Sequence, residues 1–175
     1  MVVEVDVPSK ETAKSFDHPY EGTDYAYPRP MGESVEVKQR LRYRLPAFAE
    51  HVGIEVLEAD PERVVGRIVL GPQHSNGGDR VHGGAIMSLA DTLGAIGTVL
   101  NLPRGTATTT IESKTNFLAA GRGQQLIGEA LPLHIGRNTM VWQTTVRDGE
   151  ARRVAVVTQT QLVLQLDADN SEAKR

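Results

Sequence analysis

His82-Gly83-Gly84-Ala85-Ile86-Met87-Ser88-Leu89-Ala90-Asp91-Thr92-Leu93-Gly94-Ala95-Ile96-Gly97-Thr98-Val99-Leu100 is the stretch that decides the fold. With His82 at 0° and an advance of about 100° per residue, Ile86, Leu89, Leu93, Ile96 and Leu100 fall within about 40° of zero. That stripe predicts a helix over 82–100 with one face on a core. Asn101-Leu102-Pro103 ends it, because Pro cannot continue a helix. Asp91 lands about 180° away, on the opposite face. Its neighbours there are Gly84, Met87, Ser88, Gly94, Ala95 and Thr98, mostly small and all uncharged. From Gly83 through Pro103, Asp91 is the only charged residue. A solvated face would carry Lys and Glu. The helix is therefore expected to be covered on both sides, by a sheet and by something else, for which a second subunit is the simplest candidate. A carboxylate withdrawn from water in such a place is a functional candidate. The plainer reading is a structural polar contact.

His82-Gly83-Gly84 stands where the helix begins. The first N–H groups of a helix have no intrahelical partner, and the dipole adds positive potential there. Gly allows close approach to that backbone. Such N–H groups can stabilise a carbonyl oxygen that gains charge during reaction. The alternative is a His cap followed by a tight entry turn, and the residues alone leave both open.

Outward from the helix the chain reads as strands. A short helical stretch over Pro46 to Val52 precedes two strand-like runs, Gly53–Ala59 and Arg63–Leu70, joined by the turn Asp60-Pro61-Glu62. Val64, Gly66, Ile68 and Leu70 share one face of the second run. A Gly-rich loop spans Gly71 to Arg80. After the helix come runs at Thr106–Leu118, Gln124–Leu133, Asn138–Arg147 and Ala151–Leu166. Their short connections predict a four-strand antiparallel meander, with Asp148-Gly149 as a two-residue primed hairpin turn. The order strand, strand, long helix, four strands is α+β, the helix packed on the sheet.

Composition narrows the function. The chain has 175 residues, 39% apolar and only 5% aromatic, so its core must rest on aliphatic side chains. Residues 1–40 hold eight acids, five bases, four of the nine prolines and three tyrosines, with no sustained periodicity. An irregular arm is expected over 1–44, one domain over 45–166 and a polar tail over 167–175. The rest of the chain, 41–175, carries fourteen acids and fourteen bases, which gives no nucleic-acid footprint. There is no Cys, so disulfides, thiolate metal sites and a Cys nucleophile are excluded. His18, His51, His74, His82 and His134 have no paired metal spacing, so no metal is expected. Met-Val-Val-Glu-Val-Asp lacks the basic start of a signal peptide, and no run of about 18 uninterrupted apolar residues predicts a membrane span. A cytoplasmic protein without membrane partners is the expectation. No Gly-x-Ser-x-Gly elbow is present, which argues against a Ser hydrolase.

At His74-Ser75-Asn76, Val81-His82-Gly83-Gly84-Ala85 and Leu89-Ala90-Asp91-Thr92 the chain resembles the hotdog-fold thioesterases, within them the phenylacetyl-CoA-type and related acyl-CoA thioesterases. The strand from Thr108 to Leu118 and Leu133-His134-Ile135-Gly136-Arg137 are similar to further family segments. The resemblance covers about residues 45 to 165 and is specific as a combination rather than piece by piece.

It implies an antiparallel β-sheet wrapped around a long central α-helix. It also implies homodimers, commonly paired again into homotetramers, with active sites at the dimer interface. The implied reaction is hydrolysis of acyl-CoA to free acid and CoA, with no cofactor beyond the CoA of the substrate. By the resemblance, the Gly83 N–H polarises the thioester carbonyl, and Asp91 is nucleophile or general base. Asn76 and His82 orient water, carbonyl or loop, and Thr110 helps place water, with Thr109 as the alternative register. Gly84, Gly136 and Arg137 stand where the family binds the CoA portion. Asp91 and the Asn76, His82, Gly83 set would come from different subunits. The chain departs from the family at Asp79, where a Gly is frequent, with Gly77 and Gly78 just before it. A non-catalytic acyl-CoA-binding hotdog protein is the alternative. A hotdog dehydratase or hydratase is another, although the His-Phe-Pro-Gly signature of the acyl-carrier-protein dehydratases is absent.

Overall fold

A computed structural model describes residues 45–166; the expected arm at 1–44 and tail at 167–175 lie outside the described residues. A short helix α1 (Ala47–His51) leads into strands β1 (Ile54–Asp60) and β2 (Arg63–Val69). The long helix α2 (Gly83–Asn101) follows, then β3 (Thr106–Phe117), β4 (Gln125–Ile135), β5 (Thr139–Asp148) and β6 (Arg153–Gln165). All neighbouring strands pair antiparallel in one sheet of order β1-β2-β4-β5-β6-β3. The sheet wraps α2, which is the α+β hotdog architecture expected from the sequence.

Two-residue alternation explains the wrapping. On β5, Met140, Trp142, Thr144 and Val146 are buried and the residues between them are half-buried. Val64, Gly66 and Ile68 of β2 are buried on the face that their spacing predicts. Leu89 and Leu93 of α2 are fully buried among them. Each such side chain is worth about 1.5–3 kcal/mol. By length and composition α2 could also span a bilayer. Its apolarity is accounted for by enclosure, since ten of its residues are buried within this chain.

Three expectations are corrected. The last four strands do not form one meander. Only β4, β5 and β6 do, while β4 pairs with β2, and β3 pairs with β6 at the opposite edge. The segment after β3 crosses the ends of β5 and β6 to reach β4. Leu118 and Ala119 donate to the Val154 carbonyl, and the Arg122 N–H donates to Asp148.

The second correction concerns the small-residue face of α2. The chain's own sheet covers part of it: a Cβ on Gly94 would lie 2.5 Å from the Gln159 amide, and one on Gly97 2.5 Å from the Trp142 ring. Thr98 is fully buried as well. The open stripe narrows to Met87, Ser88, Asp91, Thr92 and Ala95.

Third, the β5–β6 connection is not a two-residue primed turn. The Asp148 N–H bonds to the Arg152 carbonyl, so Gly149, Glu150 and Ala151 form the loop, with Ala151 left-handed at φ 61°. Asp148 imposes this loop by accepting the Glu150 and Arg152 N–H groups on its side chain.

Candidate active site

Asp91 lies mid-helix, where α2 passes β3 and β6. Thr110 of β3 and Gln161 of β6 are cross-strand partners, and Gln159 is the next residue on β6 with the same orientation. Thr110 donates its hydroxyl to Asp91 Oδ1 at 3.0 Å. Gln159 Nε2 donates to the Asp91 carbonyl at 3.2 Å and to Oδ1 at 3.4 Å. Gln161 Nε2 donates to Thr110 Oγ1 at 2.8 Å, and Thr108 Oγ1 donates to Gln161 Oε1 at 3.1 Å. Among the described residues Asp91 Oδ2 has no hydrogen-bond partner, and no cation pairs with Asp91.

A β-bulge at Ile111 sits directly after Thr110. Bulges re-aim side chains beside functional sites. Here Thr108 and Thr110 face the helix before it, whereas Ser113 and Thr115 have buried hydroxyls after it. Asp91 opens on a cavity of about 520 Å³. Phe48 and Ala49 of α1, Met87, Ala95 and Val99 of α2, and Thr109 of β3 form its walls.

The start of α2 forms a second cluster. His82 caps the helix: its Nδ1 accepts the Gly84 N–H at 2.9 Å and its carbonyl accepts the Ala85 N–H. With Nδ1 an acceptor, the neutral ring carries its proton on Nε2. Gly83 is left as the residue whose N–H has no partner among the described residues. The Phe117 ring covers its Cα, 2.9 Å from where a Cβ would stand.

The preceding loop is more ordered than its Gly content suggests. His74 is buried; its Nδ1 accepts the Gly71 N–H and its Nε2 donates to the Val52 carbonyl. Ser75 bridges to Val81, and the His82 N–H donates to the His74 carbonyl at 2.7 Å. Asn76 is exposed beside Gly77 and Gly78, both with positive φ.

The predicted site residues thus fall into three groups. Asp91 meets Thr110, and it is Thr110 rather than Thr109 whose hydroxyl reaches the carboxylate. His82, Gly83 and Gly84 stand together at the helix start, joined to the loop that carries Asn76. Eight residues of helix separate Gly83 from Asp91, a rise of roughly 12 Å. Gly136 and Arg137 occupy the β4–β5 turn, closed by the Gly136 N–H on the Thr139 carbonyl, and neither lines the cavity beside Asp91. Among the described residues no group of three or more acidic or His side chains is placed to hold a metal ion.

The sequence reading missed Gln159 and Gln161. Both are fully buried. Their available signal is two glutamines two apart, on one face of a strand and flanked by apolar runs, Val154-Ala155-Val156-Val157 before and Leu162-Val163-Leu164 after.

Comparison with known proteins identifies the family. The family profile described as "Thioesterase superfamily" matches residues 78–155. A Deinococcus radiodurans protein with a provisional esterase name is 31% identical over 62% of this chain and 72% of its own length. The solved structure of thioesterase HI1161 from Haemophilus influenzae superposes with a TM-score of 0.68 at 23% identity, covering 81% of this chain and 96% of that one. A hypothetical thioesterase protein of Streptococcus pneumoniae, solved with coenzyme A, has a TM-score of 0.58 at 25% identity, over 65% of this chain and 88% of that one. On the profile match and the Deinococcus relative, with the same architecture in both solved structures, the chain belongs to the thioesterase superfamily.

Proposed function

We propose that the protein hydrolyses acyl-CoA thioesters to free acid and CoA. One observation carries the reading. Asp91 lines a cavity with one carboxylate oxygen committed to two neutral donors and, among the described residues, no partner on the other and no cation to neutralise it. A thioester is already an activated acyl donor, so a carboxylate and one oxyanion donor suffice for its hydrolysis. The Gly83 N–H, with the positive end of α2 behind it, is the donor that would polarise the carbonyl. Asp91 either takes a proton from a water that attacks the carbonyl carbon, or attacks that carbon itself to give a mixed anhydride, which a water then cleaves to free acid and the restored carboxylate. The C–S bond then breaks, and the CoA thiolate leaves and is protonated. Coenzyme A in the streptococcal neighbour supports the leaving group.

A separation of roughly 12 Å within one helix keeps Gly83 and Asp91 of one copy from a common carbonyl. A homodimer resolves this, with Gly83, His82 and Asn76 from one subunit facing Asp91 of the other. The uncharged stripe of Met87, Ser88, Thr92 and Ala95 around Asp91 and the long edge strand β3 are the surfaces available for it. Gly136 and Arg137, on an exposed turn, are candidates for the CoA portion, as a guanidinium suits a phosphate.

The test is thiol release from a panel of aromatic and straight-chain acyl-CoAs, read with a chromogenic disulfide. The chain has no Cys to contribute background. Release that falls at least about 1000-fold in Asp91→Asn is expected. No release while acyl-CoA still binds would replace hydrolysis with an acyl-CoA-binding role.

A further inference from the structure

We infer that Gln159 and Gln161 are positioning residues: their buried amides fix the Asp91 carboxylate by Oδ1 and leave Oδ2 as the reacting oxygen. The inference rests on the hydrolytic role proposed for Asp91 and deepens it. Its geometry runs in one direction only. An ionised Asp91 can only accept, so the Thr110 hydroxyl must donate to it. That hydroxyl has one proton, so its oxygen is left to accept from Gln161 Nε2. With its nitrogen turned to Thr110, Gln161 presents Oε1 to the Thr108 hydroxyl, whose one proton is shared between that oxygen and the Leu162 carbonyl. The carboxylate thereby sets the polarity of the whole chain from β6 to α2, and a turned amide at Gln161 would draw the Thr110 proton away from Asp91.

Gln159 adds a second clamp. Both Asp91 atoms that it faces, the main-chain carbonyl oxygen and Oδ1, are acceptors, so its NH₂ must point at them. Among the described residues its Oε1 is then buried without a partner, as is the indole N–H of its cross-strand neighbour Trp142. An unsatisfied buried polar atom is destabilising. An apolar side chain on β6 would pack there without that penalty, so packing alone does not account for Gln159. Gly94 provides the space, for its missing Cβ is where the Gln159 amide lies.

Two locked donors on Oδ1 restrict rotation of the carboxylate, and Oδ2 is left without a partner among the described residues, on a side chain that lines the cavity. Holding a reacting group in place is a large part of enzymic rate, and misplacement by about 1 Å can cost about 100-fold. Gln159→Met and Gln161→Met keep the side-chain length and remove the amides. In each, kcat should fall about 10–100-fold with KM within about twofold. Thr110→Val should behave alike and Thr110→Ser should retain most of the rate, since only the hydroxyl matters.

Folded methionine variants with wild-type kcat, or a loss confined to KM, overturn the inference. A wild type that hydrolyses no acyl-CoA would instead remove the hydrolytic reading. Side-chain amide NMR on the full chain decides the positioning in either case, and does so even where a methionine variant fails to fold. The Gln159 NH₂ signal should be slow to exchange and should move in Asp91→Asn. The Gln161 signal should move in Thr110→Val. Signals that stay where they are in both variants reject the clamp.

Discussion

Asp91 and Asp148 are both carboxylates drawn into the fold, and they are built in opposite ways. Asp148 is 1% exposed and has every direction occupied. Oδ1 accepts the Glu150 and Arg152 N–H groups, and Oδ2 accepts the Arg152 guanidinium at 2.7 Å and the Arg122 N–H at 3.4 Å. Asp91 is half-buried, held on one oxygen by neutral groups, and open on the other. Saturation with a cation makes a carboxylate a staple. Partial satisfaction without one leaves lone pairs for chemistry. The first joins the β5–β6 turn to the crossing after β3; the second faces a cavity.

The largest expected effects test whether the two roles separate. Asp91→Asn should abolish thiol release and shift the unfolding midpoint little, as its oxygen at Oδ1 can still accept from Thr110. Asp148→Ala should do the reverse, costing about 2–3 kcal/mol in denaturant unfolding while kcat stays near wild type. Burial alone would raise the Asp148 pKa. The hydrogen bond from the Arg152 side chain and the N–H groups of Arg152, Glu150 and Arg122 outweigh it and hold the group below the ordinary value of 3.8. A carboxylate with a lowered folded pKa contributes stability above its unfolded pKa and loses it as pH falls through the folded one. The stability gap between wild type and Asp148→Ala should therefore be full at neutral pH, begin to close near pH 3.8, and vanish at lower pH. A gap that persists in strong acid would mean that packing, not charge, makes Asp148 a staple.

A smaller effect distinguishes the two glycines of α2 that receive the sheet. Gly97→Ala would press on the buried Trp142 ring. Overpacking of about 1–3 kcal/mol, less about 1 kcal/mol gained in helix propensity, leaves a net loss near 1 kcal/mol. Gly94→Ala would instead press on the Gln159 amide. Its expected signature is a fall in kcat out of proportion to its effect on the unfolding midpoint. Equal effects on turnover from both substitutions would show that Asp91 responds to general loosening of the core.

The two carboxylates were not equally legible in the sequence. Asp91 stood out because helix periodicity is a local property, and one charge among uncharged neighbours is visible without any partner. Thr110 comes from the family resemblance, its contact with Asp91 spanning 19 residues, whereas the helix and the strand runs follow from the same short-range patterns. Strand order does not. The pairing of β3 with β6 and of β4 with β2 joins segments far apart in the chain, and short connections predicted a simpler meander. The spacing of Gln159 and Gln161 is visible, but what they bind is not, for the same reason: their partners lie 68 and 51 residues away. In the sequence Asp148 reads as half of a primed turn, because Asp-Gly is a strong hairpin signal. Its side chain captures two N–H groups and enlarges the loop to three residues.

That loop supplies the smallest test. Ala151 is the only non-glycine residue with positive φ among the described residues, at 61°. The left-handed region costs an L-residue with a Cβ about 1–2 kcal/mol relative to Gly. Ala151→Gly removes that penalty but gives the unfolded chain more freedom, worth about 0.4–1 kcal/mol in the other direction. A net gain of roughly 0.5 kcal/mol follows, seen as a small rise in the unfolding midpoint with kcat and KM unchanged. The Ala151 N–H already donates to the Asp148 carbonyl, so the substitution relaxes the loop without altering any group that holds the carboxylate. A stabilised variant with altered turnover would tie the β5–β6 turn to the Asp91 site and break the division between staple and reactive carboxylate. A variant that is not stabilised would mean that the Asp148 clamp, rather than the intrinsic preference of residue 151, sets the conformation of the loop.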